Sequence, residues 1–324
     1  MSYFVTGATG FIGGFFVEQL VARQGQIYVL VRESSREKLD TLKARLPAAA
    51  AERIIAVYGD ITTPNMGLSA NDLSVLKGNV SQFFHFAAIY DMAADEASQA
   101  AANINGTVNA VQAAQAMQAD CFHHVSSIAV SGLFRGTFRE DMFEEAENLD
   151  HAYFRTKHES EGVVRKECKV PWRVYRPGIV VGHSETGEID KIDGPYYFFK
   201  LIQKLRKTLP PWMPAIGLEG GRINIVPVDY VAKAMDHIAH LPRQDGKCFH
   251  LTDPKPKRIG HVLNIFADAA HAPQMSMRFD ARMFNFIPAT VKQGMMMLPP
   301  VRRISVSYTH LRAHETVRWI SYAV

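Results

Sequence analysis

The chain has 324 residues, of which 47% are hydrophobic and 21% are charged, a composition ordinary for a soluble globular protein. Its formal net charge of +4 is too small and too dispersed to indicate nucleic-acid binding. No run of about 18 apolar residues exists to predict a membrane span, and Cys121, Cys168 and Cys248 are spaced as reduced thiols rather than as a disulfide framework or a zinc site.

The first predicted elements are a strand that starts at residue 3, a glycine turn and a helix over 11–21. A strand this early leaves no room for a signal peptide, so the expected location is the cytoplasm, with contact to a membrane surface left open. Gly7, Gly10 and Gly13 recur every three residues, which lets the backbone turn tightly and approach a pyrophosphate at the helix N-terminus. The predicted dinucleotide-binding turn comprises Gly7, Thr9, Gly10, Phe11, Ile12 and Gly13. The alternative is a glycine-rich turn without a ligand.

Residues 26–32 form the second predicted strand, which ends at Arg32. In a dinucleotide-binding fold, an acidic residue at this position accepts from the ribose 2′-OH of NAD, whereas a basic residue pairs with the 2′-phosphate of NADP. Arg36 and Lys38 follow closely, and Glu33 comes only after the arginine. The pattern favours NADPH over NADH, with a solvated basic loop as the alternative.

The third and fourth predicted strands, residues 53–61 and 81–88, end in residues suited to line a dinucleotide. Asp60 and Ile61 are predicted to flank the adenine, unless Asp60 is an ordinary turn residue. Ala87 and Ala88 are small enough for the cofactor to pass close to the backbone. His85 lies inside an apolar run and is interpreted as a core histidine.

A helix over 103–118 and a fifth strand over 121–127 continue the alternation of strands and helices. This order predicts an α/β fold with a doubly wound parallel sheet. Within a helix that runs to about Cys168, Tyr153 and Lys157 share one face because they are four residues apart. An adjacent ammonium lowers the pKa of a tyrosine toward working pH, so Tyr153 could exchange a proton with a carbonyl oxygen. Ser127, at the end of strand five, could hydrogen-bond the same oxygen.

Residues 172–182 form the sixth predicted strand and its exit, with Pro177, Gly178 and Val180 placed against the nicotinamide. Residues 223–228 return as a strand, residues 229–240 form a helix with Asp229 as its N-cap, and residues 249–251 form another strand.

Two apolar segments can each be interpreted in more than one way. Residues 190–222 interleave aromatic and aliphatic residues with Lys200, Lys204, Arg206 and Lys207. They form either an acyl-binding cap that meets a CoA phosphate or an amphipathic helix packed on the core. Residues 283–300 are rich in Met and Phe, and they line an acyl tunnel, lie on lipid or pack against a further module.

Several motifs together resemble the extended short-chain dehydrogenases/reductases, which have a Rossmann-type fold. They are residues 6–13, Gly59-Asp60, Ser126-Ser127, the Tyr153/Lys157 pair and Arg176-Pro177-Gly178. The resemblance implies that Ser127, Tyr153 and Lys157 are catalytic and that Lys157 also holds the nicotinamide ribose. Asn103 falls near an asparagine that some members use in a proton relay.

More specifically, the chain is similar to the amino-terminal module of bacterial two-module fatty acyl-CoA reductases, which are related to thioester reductase and male-sterility domains. The stretches concerned are residues 84–92, 139–143, 153–161, 182–187, 193–200 and 224–231. Gly14 departs from the bulkier or basic residue expected after the third glycine. The resemblance covers residues 1 to about 304, and the second reductase module of such proteins is expected to be missing.

Residues 306–316 resemble a translated sequencing adapter, so the natural sequence is expected to end near Ile304. The expected division is an NADP-binding core with the catalytic residues over 1–182, a substrate-binding segment that completes the sheet over 183–304, and a read-through tail over 305–324. His310 and His314 in this tail are not interpreted as a metal pair, and no metal site is predicted.

The sequence thus predicts an NADPH-dependent reductase that transfers hydride to a long-chain acyl-CoA or a fatty aldehyde. A nucleotide-sugar epimerase or dehydratase, or a hydroxysteroid-type dehydrogenase, is the alternative enzyme. A non-catalytic NADPH sensor is the alternative from another class, and the Tyr153/Lys157 pair argues against it. The oligomeric state is left open.

Overall fold

A computed structural model describes residues 1–88, 95–190, 196, 198–210, 212–213, 215–219, 221–280 and 317–319. Seven strands form the central sheet: β1 (Tyr3–Thr6), β2 (Ile27–Val31), β3 (Ile54–Tyr58), β4 (Gln82–His85), β5 (Cys121–Val125), β7 (Trp172–Pro177) and β12 (Lys247–Leu251). Their order is β12-β7-β5-β4-β1-β2-β3, and all neighbouring strands are parallel. Most of these strands are short apolar runs, as parallel strands buried on both faces require.

Helices cover both faces of this sheet. The helices of the described residues are α1 (Phe11–Leu20), α2 (Arg36–Ala44), α3 (Ala48–Ala51), α4 (Ala70–Leu76), α5 (Glu96–Ala100), α6 (Gly106–Ala116), α7 (Ala152–Glu167), α8 (Phe198–Thr208), α9 (Val228–Ala239) and α10 (Ile259–Ala269), of which α8 and α10 pack in a separate cluster. Side chains of α1, α2 and α9 pack in one core cluster, and those of α4, α6 and α7 pack in the other. The predicted doubly wound Rossmann-type fold is therefore confirmed.

Strand β1 pairs with β2 on one side and with β4 on the other. The strand order reverses at this point, and in such sheets the crevice beyond the carboxyl ends of the strands is the ligand-binding position. The glycine turn that follows β1 lies at this crevice.

The smaller C-terminal region consists of short strand pairs and two helices. Its strands are β8 (Ile179–Val181), β9 (Ala215–Glu219), β10 (Arg222–Ile223), β11 (Ile225–Pro227), β13 (Lys257–Arg258) and β14 (Met275–Asp280). They pair as β8 with β11, β9 with β14 and β10 with β13. A separate apolar cluster joins α8 and α10, in which Phe198 and Ile202 pack near Ile259 and Leu263. Helix α8 thus packs on a core through one face, as the amphipathic alternative predicts.

One further strand pair involves β6 (Gly136–Phe138) and β15 (Val317–Trp319), which run parallel. Short 3₁₀ turns cover Glu33–Ser35, Pro64–Gly67 and Ile128–Ser131, and a π-helical turn covers Ala101–Asn105. The Met-rich segment 283–300 lies outside the described residues.

Four details differ from the sequence prediction. The predicted sixth strand is two strands, β7 and β8, which belong to different sheets and are separated at Gly178. The chain packs tightly there, since a Cβ at Gly178 would lie 2.9 Å from the carbonyl oxygen of Asn224. The strand predicted over 223–228 is likewise divided at Asn224. Helix 103–118 begins as the π turn. Finally, Pro227 caps α9, and Asp229 lies in the first turn, where its carboxylate accepts hydrogen bonds from the N–H and hydroxyl of Ser184.

No helix among the described residues is both long enough and apolar enough to cross a membrane.

Candidate active site

The glycine turn between β1 and α1 is built so that only glycine fits at two positions. Gly7 has a φ of +73°, and a Cβ there would lie 2.7 Å from the backbone nitrogen of Ala87. A Cβ at Gly13 would lie 2.2 Å from the carbonyl oxygen of Gly7. Gly10 caps α1 without a side-chain hydrogen bond, so the cap itself offers no side chain to satisfy the first N–H groups of the helix. The turn therefore fits a pyrophosphate, which would accept from these N–H groups.

The other residues predicted for this turn are accessible to a ligand. Gly10 is exposed, and Thr9, Phe11 and Ile12 are half-buried. Ala87 and Ala88 follow β4, where Ala87 is half-buried and Ala88 is exposed. The structure places Ala87 directly beside Gly7 of the glycine turn, and Ala88 is the next residue along the chain.

The carboxyl ends of β2 and β3 bring Arg32 and Asp60 near each other. Arg32 is exposed immediately after β2, and Glu33 forms a 3.7 Å ion pair with Arg36. Asp60 accepts hydrogen bonds through Oδ1 from the backbone N–H and the hydroxyl of Thr62, both at 2.8 Å. The Thr62 N–H is the main cause that holds the Asp60 pKa below its usual value, and the charge of Arg32 lowers it further. Asp60 is thus a turn residue in this structure, and these two hydrogen bonds do not use its other carboxylate oxygen, Oδ2.

Ile61 fixes the position of α6 behind this loop. Its side chain packs against Gly106, and its carbonyl accepts from Nδ2 of Asn109 at 2.7 Å. Pro177 and Gly178 are buried at the carboxyl end of β7, while Val180 is half-buried on β8. These residues follow one another at the carboxyl end of β7, which is the position predicted for contact with a nicotinamide.

The three predicted catalytic residues meet at the carboxyl end of β5. Lys157 donates from Nζ to the carbonyl oxygen of Val125, the last residue of β5, at 3.1 Å. Tyr153, on the same face of α7, packs in one apolar cluster with Ala129, which belongs to the turn that Ser127 begins. Ser127 and Tyr153 are far apart in the sequence, but the fold packs Tyr153 against the turn that begins at Ser127, and Lys157 bonds to the strand that precedes it.

The electrostatics of this group suit proton transfer. Tyr153 and Lys157 are 2% and 4% exposed. Burial lowers the pKa of Lys157 to about 8, against the opposing charge of Glu161. Ser127 accepts from the N–H of Ala129 at 3.1 Å, and this bond does not use its hydroxyl proton. The hydroxyl can therefore donate to a substrate oxygen.

A buried ion pair behind these residues was not predicted. Glu161 accepts two hydrogen bonds from Arg176, at 3.0 and 2.6 Å, a third from Ser126 at 2.8 Å and a fourth from Nε of Arg165 at 2.8 Å. Both charged side chains are completely buried. Helical spacing alone places Glu161 on the face of Tyr153 and Lys157, and that periodicity was the available signal. The pair ties α7 to β7 and to the serine next to Ser127.

The described part of the chain contains neither a metal-binding group nor a disulfide. It contains no group of three His, Cys, Asp or Glu side chains that could hold a metal ion. Cys121, Cys168 and Cys248 form no disulfide. Burial raises the pKa of all three thiols, which makes them poor nucleophiles.

Comparison with known proteins places these features in a family context. The NAD-binding family described as Male sterility protein matches residues 5–235. A linear gramicidin synthase from Brevibacillus parabrevis is 31% identical over 265 residues, which are 77% of this chain and 5% of that protein. The aldehyde reductase lnbA of Aspergillus flavus is 28% identical over 272 residues, which are 78% of this chain and 26% of that protein.

A solved structure shows the same architecture. The terminal R domain from the myxalamid PKS-NRPS biosynthetic pathway is 25% identical, with a TM-score of 0.77 over 99% of this chain and 82% of that one. The chain spans only 5% to 26% of the length of the two curated relatives.

Proposed function

The chain belongs to the male sterility protein family and has the extended short-chain dehydrogenase/reductase fold, and from this premise we propose that it is an NADPH-dependent reductase of long-chain acyl thioesters or fatty aldehydes. The observation that supports the proposal is that α7 presents Tyr153 and Lys157 to the carboxyl end of β5, where Lys157 bonds to Val125 and Tyr153 packs against the turn that Ser127 begins. The reductases among its relatives support a carbonyl or thioester substrate.

The chain's own residues supply the proton and the charge stabilisation. Tyr153 donates its phenolic proton to the substrate oxygen as negative charge develops there. The ammonium of Lys157 lowers the pKa of the phenol and so favours this transfer. Ser127 donates a hydrogen bond to the same oxygen, and this bond strengthens as the charge grows.

The glycine turn, Arg32, Asp60, Ile61, Ala87, Ala88 and residues 177–180 would hold the cofactor. When bound, the nicotinamide supplies the hydride. Arg32 supports NADPH because it is exposed at the ribose-binding end of β2, whereas the nearest acid in the sequence, Glu33, is paired with Arg36.

Helix α8 supports a thioester with a phosphorylated carrier. Lys200, Lys204, Arg206 and Lys207 are exposed, while Phe198 and Ile202 are buried against α10. The exposed face is therefore basic, and a CoA or phosphopantetheine phosphate would meet it through ionic hydrogen bonds. The half-buried Phe199 packs edge-on against Phe266 and adds apolar surface beside this face.

NADPH oxidation tests the proposal directly. The chain is assayed with palmitoyl-CoA and with hexadecanal, and the products are separated by gas chromatography. We expect turnover of at least one substrate, and the product identifies the step. Substituting Lys204 and Lys207 by glutamine is expected to raise KM for palmitoyl-CoA without changing KM for hexadecanal. A folded, NADPH-binding chain that reduces neither substrate would contradict the proposed function.

Arg32 provides a second prediction. Arg32→Gln is expected to raise KM for NADPH by about 10- to 100-fold, because it removes a charge-assisted hydrogen bond whose free energy corresponds to a change of this size. KM for NADH should remain unchanged. Arg36→Gln is the matched control, because Arg36 is already paired with Glu33 and should change KM much less. Equal KM values for NADPH and NADH in the unmodified chain would overturn the assignment of Arg32.

A further inference from the structure

A continuous series of buried hydrogen bonds joins the glycine turn to the helix that carries Tyr153 and Lys157. Five side chains form it, and we call them the buried relay: Thr6, His85, Thr107, Asn103 and Thr156. Each is at most 1% exposed. They come from β1, β4, α6, the π turn and α7, so residues up to 150 positions apart in the sequence are in one series.

The first half of the relay connects β1 to β4 and α6. The N–H of Ala87 donates to Thr6 Oγ1 at 3.3 Å, and Thr6 Oγ1 lies 2.8 Å from His85 Nδ1. On the other side of the imidazole, Nε2 lies 3.3 Å from Thr107 Oγ1. Ala87 is the residue whose backbone nitrogen closes on Gly7, so this end of the relay is part of the predicted cofactor site.

The second half reaches the catalytic helix. Thr107 donates from Oγ1 to the carbonyl oxygen of Asn103 at 2.6 Å. Asn103 donates from Nδ2 to Thr156 Oγ1 at 3.2 Å, and Thr156 donates to the carbonyl oxygen of Tyr153 at 3.3 Å. Thr156 lies between Tyr153 and Lys157 in the sequence, so this end of the relay holds the turn that carries both.

The direction of every hydrogen bond follows from counting protons. The single hydroxyl proton of Thr107 is donated to Asn103, so Thr107 accepts from His85 Nε2, which must carry a hydrogen. Burial lowers the pKa of His85 to about 3, so the imidazole is neutral and Nδ1 is an acceptor. Thr6 then donates to Nδ1 and accepts from Ala87, and all bonds run in one direction, from Ala87 to Tyr153.

We propose that His85 and the other members of the buried relay are positioning residues, which fix the Tyr153–Lys157 turn relative to the glycine turn so that the phenol and the bound cofactor face the same carbonyl carbon. This role rests on the proposed function. A reductase needs the hydride donor and the proton donor aligned at once, and a displacement of about 1 Å costs a factor of about 10² in rate. The π turn at Asn103 is consistent with this role, because such turns are frequent at functional sites.

The relay predicts a kcat effect that a merely structural role would not give. Thr107→Val keeps the shape of the side chain but removes the hydroxyl, and we expect kcat for NADPH-dependent reduction to fall by about 10- to 100-fold. The dissociation constant of NADP+ should change by less than about threefold, since Thr107 holds the helix rather than the cofactor. Thr107→Ser restores the hydroxyl and should restore kcat.

His123→Phe is the matched control. His123 is a buried histidine on the neighbouring strand, bonded to Tyr175 and Gln82 but not to the relay. Its substitution should lower the melting temperature without lowering kcat. Equal kcat for Thr107→Val and Thr107→Ser, or an equal loss of kcat in His123→Phe, would overturn the positioning role.

A measurement without turnover separates this inference from the proposed function. Nitrogen-15 NMR of the histidine rings at pH 7, with and without NADP+, should show His85 neutral with its hydrogen on Nε2. A hydrogen on Nδ1 would overturn the relay whatever the enzyme reduces. Absence of turnover in the unmodified chain would contradict the proposed substrates, while the ring nitrogen signals would still decide whether the relay exists.

Discussion

Tyr153→Phe is expected to lower kcat by about 10²–10⁴-fold, the range for removal of a positioned general acid. The phenylalanine ring keeps the packing against Ala129 and Phe154, so the fold and cofactor affinity should be retained. Only the transferable proton is lost. Steady-state NADPH oxidation and NADPH binding, measured on the same samples, separate the two effects.

Tyr175→Phe is the control for this variant. Tyr175 is also fully buried, but its hydroxyl is bonded to His123, and burial raises its pKa well above the usual value. Loss of this hydroxyl should leave kcat unchanged. If both tyrosine variants lost the same activity, the assignment of Tyr153 as the proton donor would be wrong.

The pH dependence of kcat/KM is a second test of the role of Tyr153 as the proton donor. Burial lowers the pKa of Lys157 to about 8, so the ammonium that is proposed to assist Tyr153 is present below that pH and is lost above it. In the reductive direction kcat/KM should therefore decrease as the pH rises through about 8. Lys157→Met should lower the rate and remove this inflection, and an inflection that persisted would have to come from another group.

Local patterns were sufficient to predict the parts of the site that lie within one strand–turn–helix unit. The glycine spacing predicted a tight turn. In the structure, a Cβ at Gly13 would lie 2.2 Å from the carbonyl oxygen of Gly7. The four-residue separation of Tyr153 and Lys157 placed them on one helix face. Whether these predicted residues act as assigned is what the mutants above decide.

Contacts between distant segments could not be predicted in the same way. Gly178 packs closely against Asn224, and the carboxylate of Asp229 accepts a hydrogen bond from Ser184, 45 residues earlier. His85 was interpreted as a core histidine, which its burial supports, but its bonds to Thr6 and Thr107 span 79 and 22 residues. A pattern in one stretch of sequence carries no information on such partners until the sheet order is known.

Glu161→Gln is expected to lower the free energy of unfolding by about 3–5 kcal/mol, the usual cost of leaving one member of a buried ion pair without its partner. The reason is the complete burial of Glu161 and Arg176, which leaves no water to solvate the guanidinium once the carboxylate is gone. Urea unfolding followed by circular dichroism at pH 7 measures the loss. Glu159→Gln, an exposed change on the same helix, should stay within about 0.5 kcal/mol of the unmodified chain.

A double variant at Glu161 and Arg176 tests whether the loss of stability comes from the unpaired charge of Arg176. Burial alone would raise the pKa of Glu161, but Arg176, together with Arg165 and Ser126, outweighs it and holds the pKa well below 4.5. The stabilisation is therefore fully present at neutral pH and is lost only as the pH falls far below that value. Glu161→Leu combined with Arg176→Met should be more stable than Glu161→Gln, because it removes the fully buried guanidinium of Arg176. Arg165, which also bonds to Glu161, is partly exposed and keeps contact with water. A double variant less stable than the single one would show that the hydrogen bonds of Arg176 to Met142 and of Ser126 to Glu161, rather than the charge balance, hold α7 against the sheet.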